Sequence, residues 1–104
     1  MKCKIATAAF IFGLASAASA EVKLYDSAWG NRCSSSDSYE AQMINRGFGA
    51  VDIKVCLEKK SGKWSCFMES NVGQGEVMRG AYVCHATGET KWWWRDAGDY
   101  NSKF

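Results

Sequence analysis

The chain has 104 residues, with 13 Lys and Arg against 11 Asp and Glu, five cysteines and no proline. That length holds one domain with a modest core. A near-balanced charge without a basic block excludes a strong electrostatic drive toward nucleic acid or an anionic membrane surface.

The first twenty residues have the three zones of a signal peptide. Lys2 and Lys4 give a positive start, Ile5 to Leu14 an apolar run, and Ala18-Ser19-Ala20 the small side chains a signal peptidase reads. Cleavage is therefore expected before Glu21, and a membrane anchor is disfavoured because the apolar run is shorter than the ~20 residues of a spanning helix. Residues 1–20 are thus read as a removed leader and residues 21–104 as one secreted domain, extracellular or, in a bacterium, periplasmic. Lys2 and Lys4 leave with the leader, so the remaining chain is formally neutral. Cys3 leaves too, and the even set Cys33, Cys56, Cys66 and Cys84 predicts two disulfides. No cysteine pair has C-x-x-C spacing and His85 is the only histidine, so no metal or other cofactor is expected.

Along the domain, Val22 to Tyr25 suits a short strand. Asp37 followed by Glu40 has the form of a capping box, Ala41, Gln42 and Met43 suit a helix, and Gly47 suits its C-cap. A short helix is predicted over about 38–46. Val51, Ile53, Val55 and Leu57 then alternate with polar residues, and Trp64, Cys66 and Met68 alternate after Ser61-Gly62, which predicts a hairpin. A two-residue Ser61-Gly62 loop would put those two apolar rows on one face and set Lys54 opposite Glu69. Val83-Cys84 and Lys91-Trp92 repeat Val55-Cys56 and Lys63-Trp64, which predicts a second hairpin from strands at about 77–86 and 90–95. The expected fold is α+β, one short helix packed on a four- to five-stranded antiparallel sheet. In that register Cys56 and Cys66 face opposite ways, leaving 33–56 with 66–84, which is preferred, or 33–66 with 56–84.

Lys91-Trp92-Trp93-Trp94-Arg95 is the most conspicuous run. Strand alternation sends Trp92 and Trp94 to the core and Trp93 to the open face between Lys91 and Arg95. Tryptophan and arginine are enriched at interface hot spots, so Trp93, Lys91 and Arg95 are the candidate binding residues. The partner chemistry is that of an extracellular protein or a glycan. His85 has no nucleophile arranged with it in sequence, and no catalytic residue is assigned from the pattern.

Gly30-Asn31-Arg32-Cys33-Ser34-Ser35-Ser36-Asp37 with Ala41-Gln42 resembles the helix-one region of small secreted fungal guanyl-preferring ribonucleases of the T1 type. Val51-Asp52-Ile53-Lys54-Val55 is similar to their first central strand. The resemblance implies a disulfide-bonded domain of this size with a helix packed on an antiparallel sheet. It also implies a catalytic alternative, because Arg79 and His85-Ala86-Thr87-Gly88 are similar to that family's arginine strand and His-Thr-Gly turn. The family's Tyr-Pro-His strand is missing, and Lys63-Trp64-Ser65 stands where its glutamate base would be. That pattern implies a non-catalytic descendant, of the kind found among secreted effectors of plant-pathogenic fungi. The leading expectation is a non-enzymatic secreted binding protein, a microbial effector acting on a host or competitor protein. The alternatives are a T1-like ribonuclease using Arg79 and His85, and an inhibitor of an extracellular hydrolase presented on a disulfide-held loop such as 71–76.

The intact mass of the exported protein is expected to equal residues 21–104 less four hydrogens. A retained leader, or thiol labelling without denaturant, would contradict this reading.

Overall fold

The computed structural model describes residues 4–5 and 21–101. The expected leader therefore lies outside the described residues, apart from the two-residue strand β1 (Lys4–Ile5). The described domain comprises β2 (Val22–Gly30), β3 (Ser38–Asn45), β4 (Val51–Lys59), β5 (Trp64–Val72), β6 (Val77–Val83) and β7 (Ala86–Asp96). No described residue is helical, so the α+β expectation is corrected to an all-β fold. One antiparallel sheet has the order β7-β4-β5, with β1 paired to the outer edge of β7. The other has the order β2-β3-β6.

The two sheets face each other across one core. Val51, Ile53, Val55 and Leu57 of β4 are fully buried and meet Met43, Met78, Ala81 and Val83 from the other sheet. Burial in this sandwich explains why the predicted helix is strand β3. Tyr39, Ala41 and Met43 point inward while Glu40 and Gln42 point out. That period of two satisfies the core where a helical period would not, and it overrides the modest helix propensity of Ala, Gln and Met. Asp37 does not cap a helix. Its carboxylate accepts hydrogen bonds from Ser35 and Lys60 and meets the His85 imidazole.

The β4–β5 hairpin also differs from expectation, by one residue. Its loop has three residues, Lys60-Ser61-Gly62, closed by Gly62 N–H to Lys59 O at 2.8 Å and Lys59 N–H to Lys63 O at 2.8 Å. Gly62 takes φ +90°, the left-handed position this loop type requires. Cys56 therefore stands directly across from Cys66, and Lys54 across from Met68 rather than Glu69. A one-residue slip exchanges faces. Trp64 and Met68, expected in the core, lie on the outer surface, and Trp64 is 36% and Met68 55% exposed.

The disulfides follow from this register. They join Cys56 to Cys66 and Cys33 to Cys84, so neither connectivity read from the sequence forms. By loop entropy, the link spanning 51 residues stabilises by about 4 kcal/mol and the one spanning 10 by about 3. Nor do the last two strands make a second hairpin. β6 pairs with β3 and β7 with β4, and His85, at φ +54°, turns the chain from one sheet to the other.

Asn45 ties the opposite end together. Fully buried, its side-chain amide donates to Gly49 O at 2.7 Å and Val72 O at 3.0 Å, and its oxygen accepts from Gly47 N–H at 2.9 Å. Its backbone bonds Gly75 and Glu76. The loop 71–76 is thus held by this asparagine and not by a disulfide, as the inhibitor reading had supposed.

Trp94 is 7% exposed in the core, and Trp92 packs beside it with its indole N–H donating to Val22 O at 3.2 Å. Trp94→Ala is expected to cost about 3–5 kcal/mol, the range for deleting a buried large aromatic. Trp92→Ala should cost less and Trp93→Ala least. Urea melts of the three variants check the order. A largest loss for Trp93→Ala would mean the faces of β7 are inverted.

Candidate functional site

The outer face of the β7-β4-β5 sheet is built by alternation. Lys91, Trp93 and Arg95 of β7 stand opposite Cys56, Lys54 and Asp52 of β4, and β5 adds Trp64, Cys66 and Met68. Two lysines lie over indole rings. Lys91 Nζ is 4.5 Å from the centre of Trp64, and Lys54 Nζ is 5.7 Å from that of Trp93. Between these pairs the Cys56–Cys66 bridge fixes the spacing of β4 and β5. The result is a rigid patch of aromatic and thioether surface fringed by ammonium groups.

Of the three binding residues expected from sequence, Trp93 and Lys91 belong to this patch and Arg95 has another task. Arg95 Nε donates to Asp52 Oδ2 at 3.0 Å, with side-chain exposures of 12% and 2%. Asp52 Oδ1 also accepts the Asn71 N–H at 3.0 Å, and the Arg95 guanidinium lies 5.4 Å from the Tyr100 ring centre. Removing one partner of so buried a pair costs about 3–5 kcal/mol, so Arg95 is a structural tie. Lys54 and Trp64 complete the patch and escaped the sequence reading. The two-residue loop had turned Trp64 inward, and Gly62 at the third loop position was the available signal.

Of the two residues of the catalytic alternative, Arg79 on β6 donates to Gln42 at 3.4 Å, and His85 lies beyond the end of that strand, in the turn to β7. Residues 30–42, which carry most of the ribonuclease resemblance, form the end of β2, a loop and β3.

His85 joins a different group. Its Nδ1 is 3.0 Å from Asp37 Oδ2, which also accepts from Lys60 Nζ at 3.2 Å, while Ser35 Oγ donates to Asp37 Oδ1 at 2.6 Å. The Ser35 hydroxyl foremost, then His85 and Lys60, hold the Asp37 carboxyl well below the usual carboxylate range. Backbone bonds from Lys60 N–H to His85 O and Ala86 N–H to Asp37 O bind three loops at this point. The group fastens the end of the sandwich that also carries Cys33–Cys84. Among the described residues, no cluster of His, Cys, Asp and Glu could hold a metal ion.

A separate cleft of about 260 Å³ opens beside β2, lined by Trp29, Arg32, Ser38, Tyr39, Glu40 and Tyr82 among others. Trp29 and Tyr39 pack with ring centres 4.8 Å apart. The Arg32 guanidinium sits 4.4 Å above Tyr82 and donates to Glu40 Oε1 at 3.1 Å. With half of the Arg32 side chain exposed, each contact contributes about 1 kcal/mol or less.

Comparison of this chain with family models, with curated proteins and with solved structures returns no match.

Because the folded carboxyl of Asp37 is lowered, its stabilisation is complete above the unfolded value of 3.8 and is lost as pH falls below it. Thermal melts of the native protein should drop more steeply below about pH 4 than those of Asp37→Asn. Parallel pH profiles would show that the Asp37 group does not couple to folding.

Proposed function

We propose that the chain is a secreted, non-enzymatic binding protein of the effector type, and that the outer face of β7-β4-β5 contacts an extracellular protein. The observation that carries this reading is the combination of Trp93, Trp64 and Met68 with Lys54 and Lys91 on a sheet face that no other described strand covers. Large aromatic side chains supply contact area at low entropic cost, and desolvated indoles are typical anchors of protein interfaces. The ammonium groups favour a partner with carboxylates around an apolar centre. Rigidity supports the same reading, since the Cys56–Cys66 bridge keeps the patch in shape before contact. The two disulfides are compatible with an oxidising extracellular location.

The test is capture of a defined partner from host or competitor extracellular fluid, followed by affinity measurement with purified components. Trp93→Ala and Lys54→Glu should each weaken binding at least tenfold while leaving the melting temperature within a few degrees. Lys23→Glu, on the other sheet, should leave binding unchanged. Unaltered affinity in both face variants would overturn the proposal. So would cleavage of guanosine-containing RNA that disappears in His85→Ala.

A further inference from the structure

The cleft on the other sheet has a chemistry of its own. Tyr82 supplies an aromatic face and Glu40, directly across from it, a carboxylate whose side chain is 20% exposed. Ring faces attract cations through their quadrupole, and a carboxylate beside them adds directional acceptors for N–H donors. Such a set is suited to a planar cation. The protein itself shows this, because the group now in contact with both Tyr82 and Glu40 is the guanidinium of Arg32.

Tyr82 and Glu40 stand directly across from each other on β6 and β3, so the sheet itself positions the two groups. Arg32 is anchored through its backbone, whose N–H donates to the Ser38 hydroxyl at 3.2 Å, beside the bridged Cys33. Its side chain is half exposed and held by two surface contacts. The head group can swing out while the loop stays in place.

We infer that this cleft is a binding site for a guanidinium group, such as an arginine side chain on a partner protein, and that Arg32 occupies it in the free protein as an internal competitor. The incoming cation would stack on Tyr82 and donate N–H bonds to Glu40, replacing the same two contacts made by Arg32. This site is independent of the Trp93 face, which lies on the other sheet.

The test uses the intact disulfide-bonded protein and N-acetyl-L-argininamide as probe, followed by NMR of the Tyr82 ring and the Glu40 side chain. Arg32→Ala should bind the probe at least tenfold more tightly than the native protein, with shifts centred on Tyr82 and Glu40. Arg32→Gln should do the same, which guards against a folding defect in the first variant. Adding Glu40→Gln to Arg32→Ala should abolish binding. N-acetyl-L-glutaminamide should not bind. Equal affinity in native and Arg32→Ala proteins would overturn the competitor role. Absence of shifts in both Arg32 variants would overturn the site. Tetramethylammonium binding that matches the probe and survives Glu40→Gln would overturn guanidinium recognition.

Discussion

The register of β4 between β5 and β7 is the constraint on which the rest of the structure depends. β4 is the central strand of its sheet, and four of its side chains, Val51, Ile53, Val55 and Leu57, are fully buried against the opposite sheet. A strand alternates strictly, so burying that row commits Asp52, Lys54, Cys56 and Glu58 to the outer face. The neighbours must then follow. Trp94 and Trp92 pair with Ile53 and Val55 and enter the core, while Trp93 pairs with Lys54 and stays out. On the other side Cys66 meets Cys56, and Trp64 and Met68 are carried outward with it. The disulfide, the aromatic patch and the core are consequences of one alignment.

Much of this could be read from the amino-acid sequence, and the failures have identifiable causes. The alternation of residues 51–58 and the opposed faces of Trp92, Trp94 and Trp93 follow from local pattern, and the structure agrees. The hairpin pairing rested on loop length, where Ser61-Gly62 fits a two-residue loop and Lys60-Ser61-Gly62 fits a three-residue one. That difference of one residue moved Trp64 and Met68 from core to surface and removed the reason for separating Cys56 from Cys66. Around residues 38–46 a capping pattern and helix-forming residues stood against the inward row of Tyr39, Ala41 and Met43. Local propensity is worth a few tenths of a kcal/mol per residue, whereas burying such side chains is worth ~1.5–3 kcal/mol each for the larger ones. Burial won. The separation of β6 and β7 into different sheets has no local signature except the turn at His85. Of the candidate site, Trp93 and Lys91 were legible, Lys54 and Trp64 depended on the pairing, and the Arg32 cleft depended on bringing residues 29–40 beside Tyr82.

Cations resting on aromatic rings recur across the molecule. Lys54 lies over Trp93, Lys91 over Trp64, Arg32 over Tyr82 and Arg95 over Tyr100. Their environments separate their roles. Arg95 is bound to a buried carboxylate and belongs to the framework. Lys54, Lys91 and Arg32 make their ring contacts on the outer faces of the two sheets. The framework is held firmly at both ends, by Asn45 at one and by Cys33–Cys84 with the Asp37 group at the other.

The most direct test of this account is disulfide mapping of the unreduced protein by proteolysis and mass spectrometry. The β4–β5 register predicts one linked pair of peptides containing Cys56 and Cys66, and a second containing Cys33 and Cys84. Linkage of Cys33 to Cys56 or to Cys66 would contradict the register, and with it the assignment of Trp64, Met68 and Trp93 to a common outer face.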